Sequence, residues 1–574
     1  LYRGGVKPPA RPFFHPKFVR LLRGYRGADF LSDLSAGLTV GIIALPLAIG
    51  FGIASGVTPG QGLWTAIVGG LLISLLGGSR HQIGGPTGAF VPVLAAVTAE
   101  HGYNGLALAT MMAGTMLVLM GVFRLGALLK YIPFPVVAGF TSGIAVIIFL
   151  GQVPEFLGLT LPRTEHAPAL LIEIVRHARE AHWHTAAIGG LALGIGIFWP
   201  KVTRKVPASL VAVVAATALA TWLGWNDVAT IQSKFGGIPS GLPGFHFPPV
   251  SLTLLRDLMA PAFTIAALGG IESLLSATVA DGMADTRHDS NQELIGQGLA
   301  NICVPLIGGF AVTGAIARTA ANIRSGARTP IAGIVHALVL LVFVLVAAKV
   351  AARIPLAALS AVLIGVALRM GEWDTFGEMW RASRTDFGVL LAAFALTVIF
   401  DLTIGVGGGL VIAAVLFLRR MEGVTQIRLL TAENDNEAGG VNTVRGKDVP
   451  DGVVLFRFEG PLFFAAAEKL EFALRAHTGK PRIIILRMRH VPMMDATGMK
   501  ALEVAWEKMH RDGVTVLVTA IQPQPMKVML ESGLADRIGI DNFCANIDDA
   551  LNCARRILQP APVSASGVRR STEE

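Results

Sequence analysis

The chain has 574 residues, of which 53% belong to the apolar and aromatic set AVILMFWYC and only 15% are charged, with a mean hydropathy of +0.60. Soluble proteins carry about 25% charged residues, so a soluble multidomain enzyme and a disordered chain are excluded, and three cysteines (Cys303, Cys544, Cys553) are too few for a disulfide scaffold. The net charge of +9 lies at the flanks of apolar runs, which marks membrane sidedness rather than a nucleic-acid surface.

Residues 1–30 form a basic, Pro-rich N-terminal segment. Arg3, Lys7, Arg11, Lys17, Arg20, Arg23 and Arg26 face only Asp29, which predicts a cytoplasmic N-terminus, and the segment is too polar for a signal peptide. A span needs about 20 mostly apolar residues. Such runs follow at 34–52, 62–78, 105–124, 135–153, 184–199, 207–224, 258–279, 291–308, 329–351, 355–370, 386–400 and 402–420. Arg419 and Arg420 after the last run, and Lys201, Arg204 and Lys205 in a short loop, agree with both termini lying in the cytoplasm.

Two further segments, 87–99 and 317–327, are too short to cross alone. Each follows an extended, Gly-rich approach: GGSRHQIGGPTGAF for the first and GGFAVTGAIARTAANI for the second. Each is third in its half of the membrane region, so about fourteen elements fall into two repeats, near 31–226 and 255–422. An odd number of elements per repeat inverts the second copy, and the two broken helices then meet N-terminus to N-terminus. Helix N-termini carry unpaired N–H groups and about half a positive charge each, which suits an anion. The free amides are expected at Thr87, Gly88 and Ala89 on one side and Ala317, Arg318 and Thr319 on the other. Gly85 and Gly88 let the backbone approach a ligand, and Pro86 suits a helix start.

Two charges stand at membrane depth. Arg318 costs about 2.5 to 3.5 kcal/mol on insertion scales, so it is either held in an ion pair with Glu272, the one acid in the run 258–279, or it also raises the field felt by the substrate. Glu272 carries a similar cost. It is paired or protonated for part of the time, and if it titrates it is the residue that couples protons to transport. Arg324 and Arg328 read as the cytoplasmic end of the second broken helix. Leu47, Phe51 and Phe90 are candidate pocket walls with core packing as the default, and His336 reads as a hydrogen-bonded packing histidine. No catalytic triad, P-loop or metal spacing is present in the sequence, so neither an enzyme, a cofactor nor a metal is expected.

After 422 the composition changes. Residues 424–450 read as a polar loop containing TAENDNEAGG. From 452, the runs VVLFRF, AAAEKLEFALRAH, PRIIILRM, ATGMKALEVAWEKMHRD and VTVLVTA, with a last helix near 547–557, alternate as in a small cytosolic α/β domain over 423–558. The tail 559–574 is expected to be disordered.

Residues 34–60, IGGPTGAF at 83–90, YIPFPVVAGFTSG at 131–143, GGIESLLSATVADGM at 269–283 and AIARTAANIRSGARTP at 315–330 resemble the SulP anion transporters, the sulfate permease family. The region after 422 is similar to the STAS domain of that family, with Asp495, Ala496, Thr497 and Gly498 on its Asp-Ser/Thr-Ser/Thr-Gly loop. Within the family the likeness is greatest to bacterial C4-dicarboxylate transporters, through ALPLA in the first span and GGIESLL in the eighth. The resemblance implies a polytopic helical protein of the bacterial inner membrane. It implies seven-plus-seven inverted repeats in core and gate domains, a homodimer, an elevator-like movement and a possible cytosolic partner at the STAS domain. Two departures bear on function. Many members have Pro-Gln in the first span where this chain has Pro46-Leu47, and the phosphorylated hydroxyl of anti-sigma antagonist relatives is replaced by Ala496. Bicarbonate members build a sodium site on an Asp where Glu272 stands. The expectation is therefore proton-coupled uptake of a dianion, C4-dicarboxylate or sulfate. The alternatives are a bicarbonate or other anion transporter, possibly sodium-coupled, and a passive anion channel on the same fold.

Overall fold

The computed structural model describes residues 14–559 except 23, 128–131, 163, 165, 204–205, 240, 242, 401, 432–434, 436–442 and 464–480. Arg3, Lys7, Arg11, Arg23, Tyr131, Arg204, Lys205, most of TAENDNEAGG, the expected helix AAAEKLEFALRAH and the tail from 560 lie outside the described residues. The chain packs as two compact units, 1–413 and 414–574.

In the first unit the apolar runs become membrane helices, labelled here α1 to α13: Gly27–Ala54, Pro59–Leu76, Val91–Val122, Phe134–Leu157, Trp183–Val202, Ala208–Trp222, Met259–Ala284, Ser290–Cys303, Ile316–Arg324, Ile331–Ala351, Leu356–Met370, Arg384–Ile399 and Leu402–Val424. The last of these runs on into the second unit. Among the described residues, nine helices are long and apolar enough to cross a membrane. The ends follow local chemistry. Thr58 and Gln61 cap α2 reciprocally with Pro59 at its first position, and Asp289 caps α8 through the amides of Asn291 and Gln292.

The half-span 87–99 and the span 105–124 are two helical stretches of α3 that meet at a kink at Gly102 (φ 66°, ψ −173°). That Gly takes a backbone shape costly for other residues, so the helix changes direction without a separate loop. The span at 62–78 contains a π-helical turn at Thr65–Gly69. The Thr65 hydroxyl donates to Gln61 O at 2.7 Å and accepts the N–H of Phe310 at 3.0 Å, and so helps fix the approach to the second half-helix.

Packing between helices relies on small residues, as expected where lipid supplies no hydrophobic drive. A Cβ on Gly114 of α3 would sit 2.7 Å from Gly298 O of α8, and one on Gly298 would sit 2.5 Å from Gly114 O. The same helix α8 carries a polar stripe, Glu293, Gln297 and Asn301, at a spacing of one turn. Glu293 is fully buried. Its carboxylate accepts from the amides of Gly78 (2.7 Å) and Ser79 (2.9 Å) and from the side chains of Gln82 (2.9 Å) and Gln297 (3.0 Å). Four buried donors thus converge on one side chain, and an unpaired buried donor costs about 1 to 3 kcal/mol. Glu293→Ala is therefore expected to lower the melting temperature of the detergent-purified chain by roughly 5 to 10 °C. An unchanged melting curve would remove this carboxylate from the fold's supports.

The second unit is an α/β domain. Its five-stranded sheet runs β3 to β7 in sequence order, Gln426–Leu429, Val453–Glu459, Ile483–His490, Thr515–Thr519 and Phe543–Cys544, with β3 antiparallel and the rest parallel. The labels β1 and β2 belong to the two-residue strands Gly84–Gly85 and Thr313–Gly314 of the first unit. Strand β3 falls in the stretch read as a polar loop. It is four residues long, with Ile427 against the core and Arg428 and Leu429 exposed, so it lacks the apolar run that marks β4 and β5. In β4, Val454, Phe456 and Phe458 enter one core with Leu502, Met509 and Met529, whereas Val453 and Leu455 enter the other with Ile547, Leu551 and Ala554. That period of two puts helices on both faces.

Candidate anion site

The two Gly-rich approaches are drawn together as a minimal antiparallel sheet, Gly84 opposite Gly314 and Gly85 opposite Thr313. Directly after it the chain enters two helices. On one side Thr87 caps a 3₁₀ turn, Gly88–Phe90, that leads into α3, and on the other Ala315 caps α9. The two helix starts therefore flank one buried place. Gly88 stands there beside Phe51, Ile148 and Met370, and Leu47 and Phe51 share a cluster with Val91 and Leu363.

Helix α7 supports both approaches from one face. Ser273 pairs with Thr313 (3.0 Å) and accepts the N–H of Gly314 (3.2 Å), Ser276 donates to Thr319 (3.3 Å), and Glu272 accepts from the Thr87 hydroxyl (2.9 Å). On the far side of the sheet, Asn301 of α8 bonds both the N–H (2.9 Å) and the carbonyl (2.8 Å) of Val312.

The expected residues sort as follows. Gly85, Thr87, Gly88, Ala89, Ala317, Arg318, Leu47, Phe51 and Glu272 lie on or beside the paired approaches. Thr319 is displaced from its expected role, because its amide donates to Ala315 O (2.9 Å) and its hydroxyl accepts from Ile83 N (3.0 Å). The helix begins one residue earlier than expected, so the unbonded amides of its first turn are those of Ile316, Ala317 and Arg318. Pro86 precedes the cap rather than starting the helix, and Thr87 serves as cap.

Of the two readings of Arg318, the ion pair with Glu272 is not formed: among the described residues the two make no salt bridge. Each charge instead holds one of two consecutive residues. The Arg318 guanidinium donates through Nη2 to Pro86 O at 2.6 Å, and Glu272 takes the hydroxyl of Thr87. Arg318 is buried and Glu272 half-buried, the two are close enough to feel each other's field, and among the described residues Arg318 Nη1 has no hydrogen-bond partner. His336 is fully buried in apolar surroundings, and among the described residues neither ring nitrogen makes a hydrogen bond of good geometry.

Gly85 makes the geometry of Arg318 possible. Its φ is +152°, and a Cβ there would lie 2.4 Å from Arg318 Nη1. Gly85→Ala is expected to displace the guanidinium and lower anion uptake about tenfold or more, as loss of a charged contact would, even though Ala is small. Uptake kinetics at matched protein levels check this, and unchanged kinetics would mean that Arg318 does not need its present position.

The polar supports Ser273, Ser276, Asn301 and Glu293 were not singled out from the sequence. A stripe at one-turn spacing inside otherwise apolar helices was the available signal. In the second unit Asp495 caps the helix Ala496–Arg511 by accepting from Gly498 N (2.7 Å), and Thr497 is exposed. The carboxylate is thus a helix cap. Arg328 pairs with Asp29 (2.8 Å) near the start of α1, in keeping with its expected place at the membrane face where the chain enters.

Comparison with known proteins identifies the family. Residues 30–393 match the profile of the Sulfate permease family and residues 446–550 that of the STAS domain. The chain is 42% identical over 535 residues to YvdB of Bacillus subtilis, whose sulfate-transporter name is itself provisional, covering 93% of this chain and 99% of that one. It is 32% identical over 566 residues to the bicarbonate transporter BicA of Picosynechococcus, covering 94% and 97%. The solved structure of SLC26A9 superposes with a TM-score of 0.84 at 18% identity, covering 94% of this chain and 92% of that chain, which is a likeness of fold. The transmembrane domain of a cyanobacterial BicA superposes with a TM-score of 0.60 at 32% identity, covering 68% and 98%.

Proposed function

Because the chain belongs to the sulfate permease family of anion transporters and ends in a STAS domain, we propose that it is a secondary active transporter that takes up a dianion together with protons across the inner membrane of a bacterium. The observation that carries this reading is the pairing of β1 with β2, which turns two helix starts, Arg318 and Glu272 toward one buried place. Two helix ends supply about +1 between them. The substrate-binding groups are the amides near Gly88, Ala89, Ala317 and Arg318, with Gly85 and Thr87 shaping the approach and Leu47 and Phe51 as apolar walls. Leu47 offers no amide side chain to an anion, so sulfate is not favoured over a C4-dicarboxylate at this position. Movement is of the elevator kind, with the paired half-helices travelling as one body in a dimer.

A bicarbonate reading has its own support in the 32% identity to BicA. Both readings are tested by a panel of labelled anions, succinate, fumarate, sulfate and bicarbonate, in proteoliposomes with imposed pH and sodium gradients. Concentrative dianion uptake driven by an inward proton gradient is expected. Uptake that follows sodium alone would assign the chain to the bicarbonate reading, and flux that never exceeds equilibrium would make it a passive channel.

The groups assigned to this site all lie in the first unit. Deleting residues 424–574 is therefore expected to lower transport rate or membrane yield while leaving the order of preferred anions unchanged. A changed order in competition assays would place part of the specificity in the STAS domain.

A further inference from the structure

A cavity of about 490 Å³ lies among α1, α6 and α10, a volume in the range of ligand-binding clefts. It is on the opposite side of α1 from the anion site, since Leu45, Pro46 and Ile49 line it whereas Leu47 and Phe51 point the other way around the helix. Phe343 of α10 walls its inner part. Trp222, the last residue of α6, and Arg353, just beyond α10, stand at its other end.

The interior has little for a polar ligand. The hydroxyls of Thr217 and Thr221 are committed to their own helix, donating to Val213 O (2.7 Å) and Thr217 O (2.8 Å). Arg353 is the only charged residue in the lining. It is exposed and forms no ion pair among the described residues.

Orientation identifies what fills such a space. Gly37 and Gly41 of α1 abut Val335 and Val339 of α10, so the two helices run parallel, and Trp222 and Arg353 reach the membrane face opposite the one where α1 begins. From Phe343 to Arg353 is about 15 Å along a helix, half of the roughly 30 Å hydrocarbon core. The cavity is thus one leaflet deep, apolar inside, with a tryptophan and an unpaired arginine at the level where headgroups begin.

We propose that this cavity binds one acyl chain of an anionic phospholipid, taken from that leaflet, with the lipid phosphate held by Arg353. The bound chain lies as a wedge between α6 and the turn of α1 that carries Leu47 on its other side.

The test uses the full chain in nanodiscs containing a trace of phosphatidylglycerol with a photoactivatable diazirine in mid-chain, and in parallel the phosphatidylcholine analogue. Cross-linked peptides are mapped by mass spectrometry. Labelling of 210–222 and 343–354 is expected to exceed that of the exposed lipid-facing residues Leu338 and Val415, normalised for the bulk, by about tenfold. Val213→Trp and, independently, Ala218→Trp fill the cavity and should abolish that excess in protein that remains monodisperse. Arg353→Gln should leave acyl labelling in place but erase the preference for phosphatidylglycerol. Uniform labelling of lipid-facing helices, or labelling that both filling variants leave intact, overturns the site. Equal labelling by the two lipids in the unaltered chain overturns the role given to Arg353.

Discussion

Arg318→Ala is expected to weaken anion uptake by about 30-fold or more in apparent affinity, equivalent to about 2 kcal/mol, while the chain still folds and inserts. The guanidinium is buried, with one nitrogen on Pro86 O and Nη1 without a hydrogen-bond partner beside Gly85. A cation so placed costs a few kcal/mol at membrane depth, and no salt bridge to Glu272 offsets it. An anion between the helix starts is the natural compensation. Folding should survive because the approaches are held independently, by the β1–β2 pair, by Ser273 on Thr313 and Gly314, and by Asn301 on Val312. Arg318→Lys restores the charge without the two-pronged reach and should fall between the two. Concentration-dependent uptake, with a melting curve for each variant, reads both parts. Wild-type affinity in the Ala variant would mean that the helix ends suffice and the arginine only secures Pro86.

What the sequence made legible depends on how local the signal is. The spans, the matched broken helices and the α/β alternation after 450 rest on patterns a few residues long, and apart from the helix expected at 465–477, which lies outside the described residues, they have counterparts among the described elements. The pairing of Arg318 with Glu272 rested on something weaker, the scarcity of charges. The structure satisfies each charge with a neighbour that no pattern marks, a carbonyl before a helix cap and a hydroxyl on the cap itself. Contacts such as Asp33 with Arg328 N (2.6 Å) and Thr329 N (3.0 Å), or Glu293 with Gly78 and Ser79, join residues hundreds of positions apart through backbone groups, which every residue possesses. Only their helix-side half is written in the sequence, as a polar residue at one-turn spacing. The one-residue shift at the start of α9 has a similar origin: the cap is Ala315, which carries no capping side chain, and the start is set by the pairing of Thr313 and Gly314 one turn earlier.

Glu272→Gln is expected to keep anion binding while losing both the pH dependence of uptake and the ability to concentrate substrate. The reason is a charge count. Two helix ends give about +1 and Arg318 gives +1, so the site carries about +1 when Glu272 is ionised and about +2 when it holds a proton. A dianion is matched in the second case, and uptake through it should therefore rise as external pH falls. The Gln side chain imitates the protonated form permanently and can still accept the Thr87 hydroxyl through its amide oxygen, so the cap of the first half-helix is preserved. A monoanion reverses the expectation, because the ionised site already balances it; bicarbonate uptake would then need no proton on Glu272. Initial rates measured against external pH for both forms, with succinate and with bicarbonate, separate these cases. An identical pH profile in the Gln variant would sink the coupling role, and with no ion pair between Glu272 and Arg318, it would leave the carboxylate only as the acceptor that holds Thr87 in place.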